Sequence, residues 1–368
     1  MEQIKETLYS VNKNGRAIQW SCFVEGSSYF MQYGQVGGKI QTKETKCKAK
    51  NIGKANETTP EEQALAEAQA RWTKQWNREG YRLTAEEGAI AKQDFCMLAA
   101  DGRKNPHYAK YPANCQRKLD GVRAYNHLKG DDLVSYSREL VEYPVHEELK
   151  EELEELMKVT GYKKLDGEFY IHGMPLQDIQ SAVKNTKNEN HNKVTFVIFD
   201  VPDKGVPWAS RHVDVAYLKS LVKDQFKFIT VIDTDVVNDE FELEEKIKEY
   251  EDEGYEGAMV RNYDGLYEFG FRSNDLIKFK NMHESEAKVI GREKDEKSDE
   301  GKLVCLWNDV EFELKMLGTH ESRLYENLEQ YIGKWITFIY QDLTKDGKPT
   351  FARGKCVREC DENGKPLV

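Results

Sequence analysis

The sequence predicts a multidomain α+β protein: a small β-sheet with one helix, a central domain of antiparallel sheets with helices, and a C-terminal β-barrel. Three observations predict it. At 368 residues the chain is long enough for two or three domains. Strand and helix patterns alternate through its middle. After Glu286 the chain reads as five strands and one helix, the content of an OB-fold.

Taken in order, Ala17–Val24 and Tyr29–Tyr33 read as strands, separated by the turn Glu25-Gly26-Ser27-Ser28 and followed by Gly34-Gln35-Val36-Gly37-Gly38. Between Lys39 and Lys54 stand six lysines and one glutamate, a run that ordinarily makes a solvated loop. A helix then opens with Thr59 as cap, Pro60 at its first position and Glu62 completing a capping box. Its apolar stripe is Leu65, Ala68, Trp72 and Trp76, and Gly80 ends it. Residues 82–94 form a linker or short helix. Further on, Arg123–His127, Leu133–Tyr136, Lys164–Ile171, Val194–Phe199 and Ala258–Arg261 read as strands. Val145–Val159 is helical, with Leu149, Leu153 and Leu156 on one face; Val213–Val222 and Phe241–Tyr250 are helices too. The last five strands are Ala287–Arg292, Lys302–Trp307, Glu311–Met316, Trp335–Gln341 and Gly354–Val357, with a helix over Leu324–Tyr331.

Composition bounds the function. Hydrophobic content of 39% beside 32% charged residues fits a soluble globular chain, and no apolar run approaches the ~20 residues of a membrane span. The N-terminus, Met1-Glu2-Gln3-Ile4-Lys5, lacks the apolar core of a signal peptide. Seven scattered cysteines include no C-x-x-C pair, so neither a zinc site nor a disulfide framework is suggested. A reducing cytoplasm, of a bacterium or a phage-infected cell, is the expected compartment, and a monomer the expected state. The net charge of −11 argues globally against a polyanionic partner. The charge is patterned, however, and a local basic surface suffices for nucleic acid.

The chemistry concentrates in Lys118-Leu119-Asp120-Gly121-Val122-Arg123. This stretch reads as a lysine nucleophile on a turn, anchored by Leu119 and Val122 and bent at Gly121. An amine attacks phosphorus only when neutral, which burial or neighbouring cations favour. Alone, a K-x-D-G-x-R string is weak evidence. Further strings follow in order: Ser137-Arg138, Leu165-Asp166-Gly167-Glu168-Phe169, Phe196-Val197-Ile198-Phe199-Asp200, Glu256-Gly257-Ala258-Met259-Val260-Arg261 and Leu276-Ile277-Lys278-Phe279-Lys280. Lys278 and Lys280 alternate with apolar neighbours, so on a strand both point to one face.

This succession resembles the motifs of the covalent nucleotidyltransferases, most closely the ATP-dependent DNA ligases, over roughly the last three quarters of the chain. The resemblance implies an ATP-grasp-like nucleotidyltransferase domain over residues 95–282 and an OB-fold domain over 283–368. It also implies ATP as substrate, AMP carried covalently on Lys118, and Mg²⁺ (or Mn²⁺) held by Glu256. By the same resemblance Gln116 lines the adenine pocket, Phe199 stacks on adenine, Glu168 accepts from the ribose hydroxyls, and Arg123 contacts the ribose or phosphate region. Lys278 and Lys280 neutralise the AMP phosphate, Arg272 matches a basic nucleotide-site position, and Arg138 takes the DNA 5′-phosphate. Arg358, with Arg353 as runner-up, orients the pyrophosphate. A proline usual in the family is replaced by Cys96.

Residues 1–84 resemble a WGR domain through Tyr33-Gly34-Gln35-Val36-Gly37, Thr42-Lys43 and Gly80-Tyr81. The name-giving triplet departs, with Tyr33 for Trp and Gln35 for Arg. That resemblance implies a DNA-binding module using Tyr33, Gln35, Lys39, Lys43, Lys46 and Lys48; the alternative is a protein-interaction module. The partner is then nicked or broken duplex DNA, with no membrane. Three further readings stay open: an RNA ligase, an mRNA capping guanylyltransferase, and a catalytically silent DNA-end-binding protein.

Overall fold

Alternation of apolar and polar residues builds the N-terminal sheet. In the computed structural model, which describes every residue except 224, 281, 296–297, 342, 345, 362–363 and 368, its strands are β1 (Glu2–Gln3), β2 (Leu8–Val11), β3 (Ala17–Glu25), β4 (Ser28–Gln35) and β5 (Gln41–Lys46). They pair antiparallel in the order β1-β3-β4-β5, with β2 on the other part of β3. The lysine-rich stretch is thus partly a strand rather than a loop. As an edge strand, β5 is protected by its lysines from pairing with another chain.

Helix α1 (Pro60–Arg78) covers one face of this sheet. Its capping box is complete: the Thr59 hydroxyl accepts from the Glu62 amide at 3.2 Å, and the Glu62 carboxylate accepts from the Thr59 amide at 2.8 Å. The buried stripe runs through Ala64 and Ala68 to the partly buried Trp72 and Trp76. Leu65, expected on that stripe, is instead 42% exposed, because the small Ala64 lets the helix lie close to the strands. The 82–94 segment contains α2 (Ala85–Lys92), capped by Thr84. A side chain at Gly88 would meet the Tyr9 carbonyl at 2.6 Å, so α2 docks against β2 only through glycine. The ion pairs Lys13–Glu268 (2.9 Å) and Arg78–Glu139 (3.1 Å) reach from this region to the next, and residues Met1–Phe279 form one compact unit.

The rest of that unit is two five-stranded sheets. Their elements are β6 (Leu98–Asp101), β7 (Ala113–Lys118), β8 (Val122–Lys129), β9 (Asp132–Tyr136), α3 (Glu147–Thr160), β10 (Lys164–Tyr170), α4 (Leu176–Lys184), β11 (Thr195–Asp200), α5 (Trp208–Val222), β12 (Ile229–Val231), β13 (Thr234–Val237), α6 (Glu240–Asp252), β14 (Gly257–Arg261) and β15 (Arg272–Lys280). One sheet has the order β12-β11-β10-β8-β9, the other β13-β7-β14-β15-β6. Leu149, Leu153 and Leu156 of α3 are buried against the first sheet, and Leu243, Ile247 and Tyr250 of α6 against the second.

The second unit, Lys280–Val368, is a closed barrel of β16 (His283–Lys294), β17 (Gly301–Trp307), β18 (Val310–Met316), β19 (Trp335–Tyr340) and β20 (Arg353–Arg358), in the order β16-β17-β18-β20-β19. Its interior is filled by Val289, Leu303, Cys305, Leu314, Ile336 and Phe338. The helix expected before β19 is a 3₁₀ segment, Tyr325–Tyr331, that buries only Leu328. One apolar anchor in seven residues gives little to offset α-helix nucleation. All seven cysteines are free. Among the described residues no helix is long and apolar enough to cross a membrane.

One buried group on β8 makes stability depend on pH. His127 is 3% exposed, and burial, then the charges of Lys164 and Lys129, push its imidazole down to about 3. The native state therefore favours the neutral ring. The resulting stability is fully present above the unfolded value near 6.5 and is lost as pH falls toward the folded value. Between pH 6.5 and 5 the wild type should lose about 2 kcal/mol more than His127→Gln, at ~1.4 kcal/mol per pH unit. Urea unfolding of both proteins at the two pH values measures this; parallel losses would contradict it.

Candidate active site

The lysine hexapeptide is the crossing between the two central sheets. Lys118 ends β7 in one sheet, and Val122 begins β8 in the other. Leu119 and Val122, 5% and 7% exposed, pin the crossing to the core. At Gly121 a Cβ would lie 2.6 Å from the Phe169 carbonyl oxygen and 2.7 Å from Glu168 Cγ. Glycine is required there because β10 approaches, and that approach brings Glu168 beside the lysine.

Lys118 is 17% exposed at its side chain and forms an ion pair with Glu256, which is 8% exposed. Backbone pairing sets this up: the Glu256 amide donates to the Lys118 carbonyl at 2.9 Å, and Gly257 stands opposite Lys118 in the β7–β14 register. Glu168 feels Lys118 and Arg123 as its nearest positive charges, yet burial outweighs them and raises its carboxyl above the usual range. Lys278, on β15 of the same sheet as Lys118, is pushed below the usual lysine range by burial and by the positive charge of Lys118, against the pull of Asp101. Two lysines and two glutamates therefore converge on the crossing. The Lys118 charge opposes protonation of Lys278.

Beside them runs a second layer of charge. Arg123 donates to Asp166 through Nε (2.6 Å) and Nη2 (2.5 Å), and its guanidinium lies 4.7 Å from the centre of the Phe199 ring. The Tyr267 hydroxyl donates to the same carboxylate at 2.6 Å. Arg211 and Arg261 both bind Asp200, through Nε at 2.8 Å and Nη1 at 2.6 Å respectively. These three residues are at most 2% exposed. Burial would raise the Asp200 carboxyl, but Arg261 and Arg211 hold it below the usual range. Neither this network nor the Tyr267–Asp166 contact was assigned from sequence. The available signal was Asp200 and Arg261 closing two apolar strands, where an unpaired charge is not tolerated.

The network reaches Gln116. Expected at the adenine edge, it is 1% exposed. Its Oε1 accepts from Arg261 Nε at 2.8 Å, and its Nε2 donates to Thr234 Oγ1 at 3.0 Å. Both ends of the amide are engaged by protein, and strand alternation on β7 puts Gln116 on the same face as Lys118. Phe199 is packed beneath guanidinium groups, with Arg261 5.6 Å from its ring centre.

The structure gives the other expected site residues the following positions. Arg272 opens β15 and donates to the Ala99 carbonyl across to β6. Arg138 is exposed on the loop after β9, which is closed by Ser137 and Val141. Lys280 ends β15, and Arg358 is exposed at the end of β20; both belong to the second unit. Tyr33, Gln35, Lys39, Lys43, Lys46 and Lys48 are all exposed. They do not form one face: Lys43 stands opposite Met31, on the side covered by α1, and Lys46 opposite Ser28, on the other. The expected concentration of positive charge is therefore divided by the pleat.

Among the described residues no group of three or more His, Cys, Asp and Glu side chains is placed to hold a metal ion. Glu256 and Glu168 do suit Mg²⁺, which takes one or two carboxylates and fills its remaining positions with water and substrate phosphate oxygens.

Comparison with known proteins follows the same outline. A family model described as the ATP dependent DNA ligase domain matches residues 97–280, and one described as a DNA ligase OB-like domain matches residues 296–358. The chain is 29% identical over 359 residues to a DNA ligase of African swine fever virus, covering 90% of this chain and 83% of that protein. It is 28% identical over 239 residues to a DNA ligase of Haemophilus influenzae, covering 64% and 82%. Among solved structures, a Lig E DNA ligase described as binding DNA with a minimal scaffold aligns with a TM-score of 0.58 at 25% identity, covering 72% of this chain and 99% of that one.

Proposed function

The chain belongs to the ATP-dependent DNA ligases, and from that membership we propose that it seals 3′-hydroxyl/5′-phosphate breaks in duplex DNA through AMP carried on Lys118. The observation that carries this reading is the lysine at the sheet crossing, paired with Glu256 and facing the charges of Glu168 and Lys278. In the first step the Lys118 amine attacks the α-phosphorus of ATP. A P–N bond forms, the α–β P–O bond breaks and pyrophosphate leaves. The ammonium must first lose a proton, and the Glu256 carboxylate is the base in contact with it. Lys278 favours that loss, because its own charge disfavours an ammonium nearby. In the second step the DNA 5′-phosphate takes AMP from the lysine. In the third the 3′-hydroxyl displaces AMP and closes the phosphodiester.

The remaining roles are assigned on the same basis. Arg123, fixed by Asp166, and Glu168 border the nucleotide; Phe199 offers an aromatic surface for adenine; Arg272 and Lys280 supply positive charge. Arg358 serves the pyrophosphate in the first step only. Mg²⁺, with Glu256 as its protein ligand, supplies charge neutralisation on the phosphates. The N-terminal sheet, read as a WGR-like module, engages DNA through Tyr33, Gln35, Lys39, Lys43, Lys46 and Lys48. The barrel is read as an OB-fold.

Mass spectrometry of the protein mixed with ATP and Mg²⁺ should show one AMP adduct, on Lys118, and the protein should seal a nicked duplex. Sealing of a nick in an RNA strand in preference to DNA would favour an RNA ligase. Absence of any adduct would favour a silent DNA-end-binding protein. Arg138→Ala should leave the adduct in place but slow AMP transfer to DNA, by roughly 10–100-fold for a charge-assisted contact of 1.5–3 kcal/mol. Single-turnover transfer from pre-adenylylated protein measures it; an equal loss of adduct formation would move Arg138 to the nucleotide or the fold.

A further inference from the structure

A polar cleft of about 420 Å³ opens between the end of α1 and the β8–β9 hairpin, away from Lys118, and none of its residues has a role in the steps above. Its walls carry Arg78, Arg82 and Lys129 as cations and Asp94 and Glu139 as acids. The acids are already matched: Glu139 pairs with Arg78 at 3.1 Å and Asp94 with Lys164 at 3.4 Å. Arg82 and Lys129 are not. Arg82 Nη1 donates to the carbonyls of Trp76 and Tyr81, both at 2.7 Å, and Lys129 Nζ to the Tyr136 hydroxyl at 3.0 Å. Among the described residues neither has a carboxylate partner. Lys129 does feel the more distant charges of Asp94 and Glu142; in a chain of net charge −11, this concave surface carries three cations to two acids.

The same wall has an unmet hydrogen bond. His127 lines the cleft at 3% exposure, and its buried Nε2 has no partner. Such an atom costs about 1–3 kcal/mol unless something bonds to it. Two cations without an ion-pair partner, beside hydroxyl and imidazole groups, are the chemistry that receives a phosphate. The loop forming one side, Glu139–Val141, directly follows the exposed Arg138.

We propose that this cleft is a phosphodiester-binding subsite, in which Arg82 and Lys129 receive the backbone of the DNA strand that passes Arg138. The inference rests on the ligase reading of Arg138, and it adds a contact distant from the reacting lysine. Concave walls focus the positive potential, so the backbone is drawn to the cleft although the chain as a whole is acidic.

Lys129 is the residue to change, since it is exposed whereas Arg82 is tied to backbone. Binding of full-length Lys129→Ala, Lys129→Glu and Lys129→Arg to a 5′-phosphorylated nicked duplex should be followed across a salt series. Lys129→Ala should weaken binding and reduce the log–log salt slope by about 0.9, the loss expected for one phosphate contact. Lys129→Glu should weaken it further, and Lys129→Arg should retain the wild-type slope. Unchanged affinity and slope in both Ala and Glu variants would overturn the inference. A second arm is covalent labelling by ATP without DNA. A fall there matching the fall in DNA binding would put the phosphates of a free nucleotide in the cleft and overturn the assignment to a strand. The two readings fail separately: a wild type that takes no AMP label removes the ligase reading, whereas a wild type that seals nicks beside variants that bind normally removes only the cleft.

Discussion

Lys118→Ala should take no AMP from ATP and should lose nick sealing by roughly 10⁴-fold or more, the scale of removing a nucleophile from a site that works as a unit. The cause is chemical: Lys118 is the amine that ends β7 in contact with Glu256. The change also takes the Lys118 ammonium from Glu256, which is 8% exposed, and breaking a buried ion pair destabilises the fold. Lys118→Arg separates the two effects, because it keeps a positive charge for Glu256 but provides no nucleophile. Both variants should still join a nick that is adenylylated in advance, since that step needs no lysyl-AMP. Intact-mass measurement and a sealing assay on the two kinds of nick test this. A Lys118→Arg protein that seals ordinary nicks with ATP would end the proposal.

Asp200→Ala should cost about 3–5 kcal/mol of stability, the usual loss when one member of a buried ionic cluster is removed. Asp200 is fully buried and binds both Arg211 and Arg261, themselves 1% and 2% exposed. Without it, two guanidinium charges remain in the interior with no carboxylate between them. The damage should reach the nucleotide side, because Arg261 also holds Gln116 and lies over the Trp208 ring at 4.3 Å. The pH dependence has a defined sign. The Asp200 carboxyl is held below its ordinary value by its arginines against burial, so its contribution is present above the usual carboxylate range and is lost as pH falls through the lower folded value. Replacing all three charges with apolar residues of similar volume should recover much of the loss. Urea denaturation of the single and triple variants gives both numbers; a loss under about 1 kcal/mol for Asp200→Ala would show that the cluster is not a stabilising unit.

Sequence alone determined what depends on near neighbours. Thr59, Pro60 and Glu62 specify the start of α1, because a capping box is made within one helical turn. Leu149, Leu153 and Leu156 specify the buried face of α3 by spacing. Leu119 and Val122 mark the anchors of the lysine turn, and the ordered motifs identify the family. Tertiary structure decided what depends on which strand lies beside which. Arg211 sits on a helix with no local sign of its partner, yet 11 residues of chain fold it back onto Asp200. Gln116 was legible as a polar residue near the lysine, but only the β7–β14 pairing brings Arg261 against its amide. The lysines of β5 read as one cluster along the chain, and only pairing with β4 shows that the pleat sends Lys43 and Lys46 to opposite faces. Charge partners and strand faces are set by long-range backbone pairing, which a linear pattern of residue types leaves unspecified.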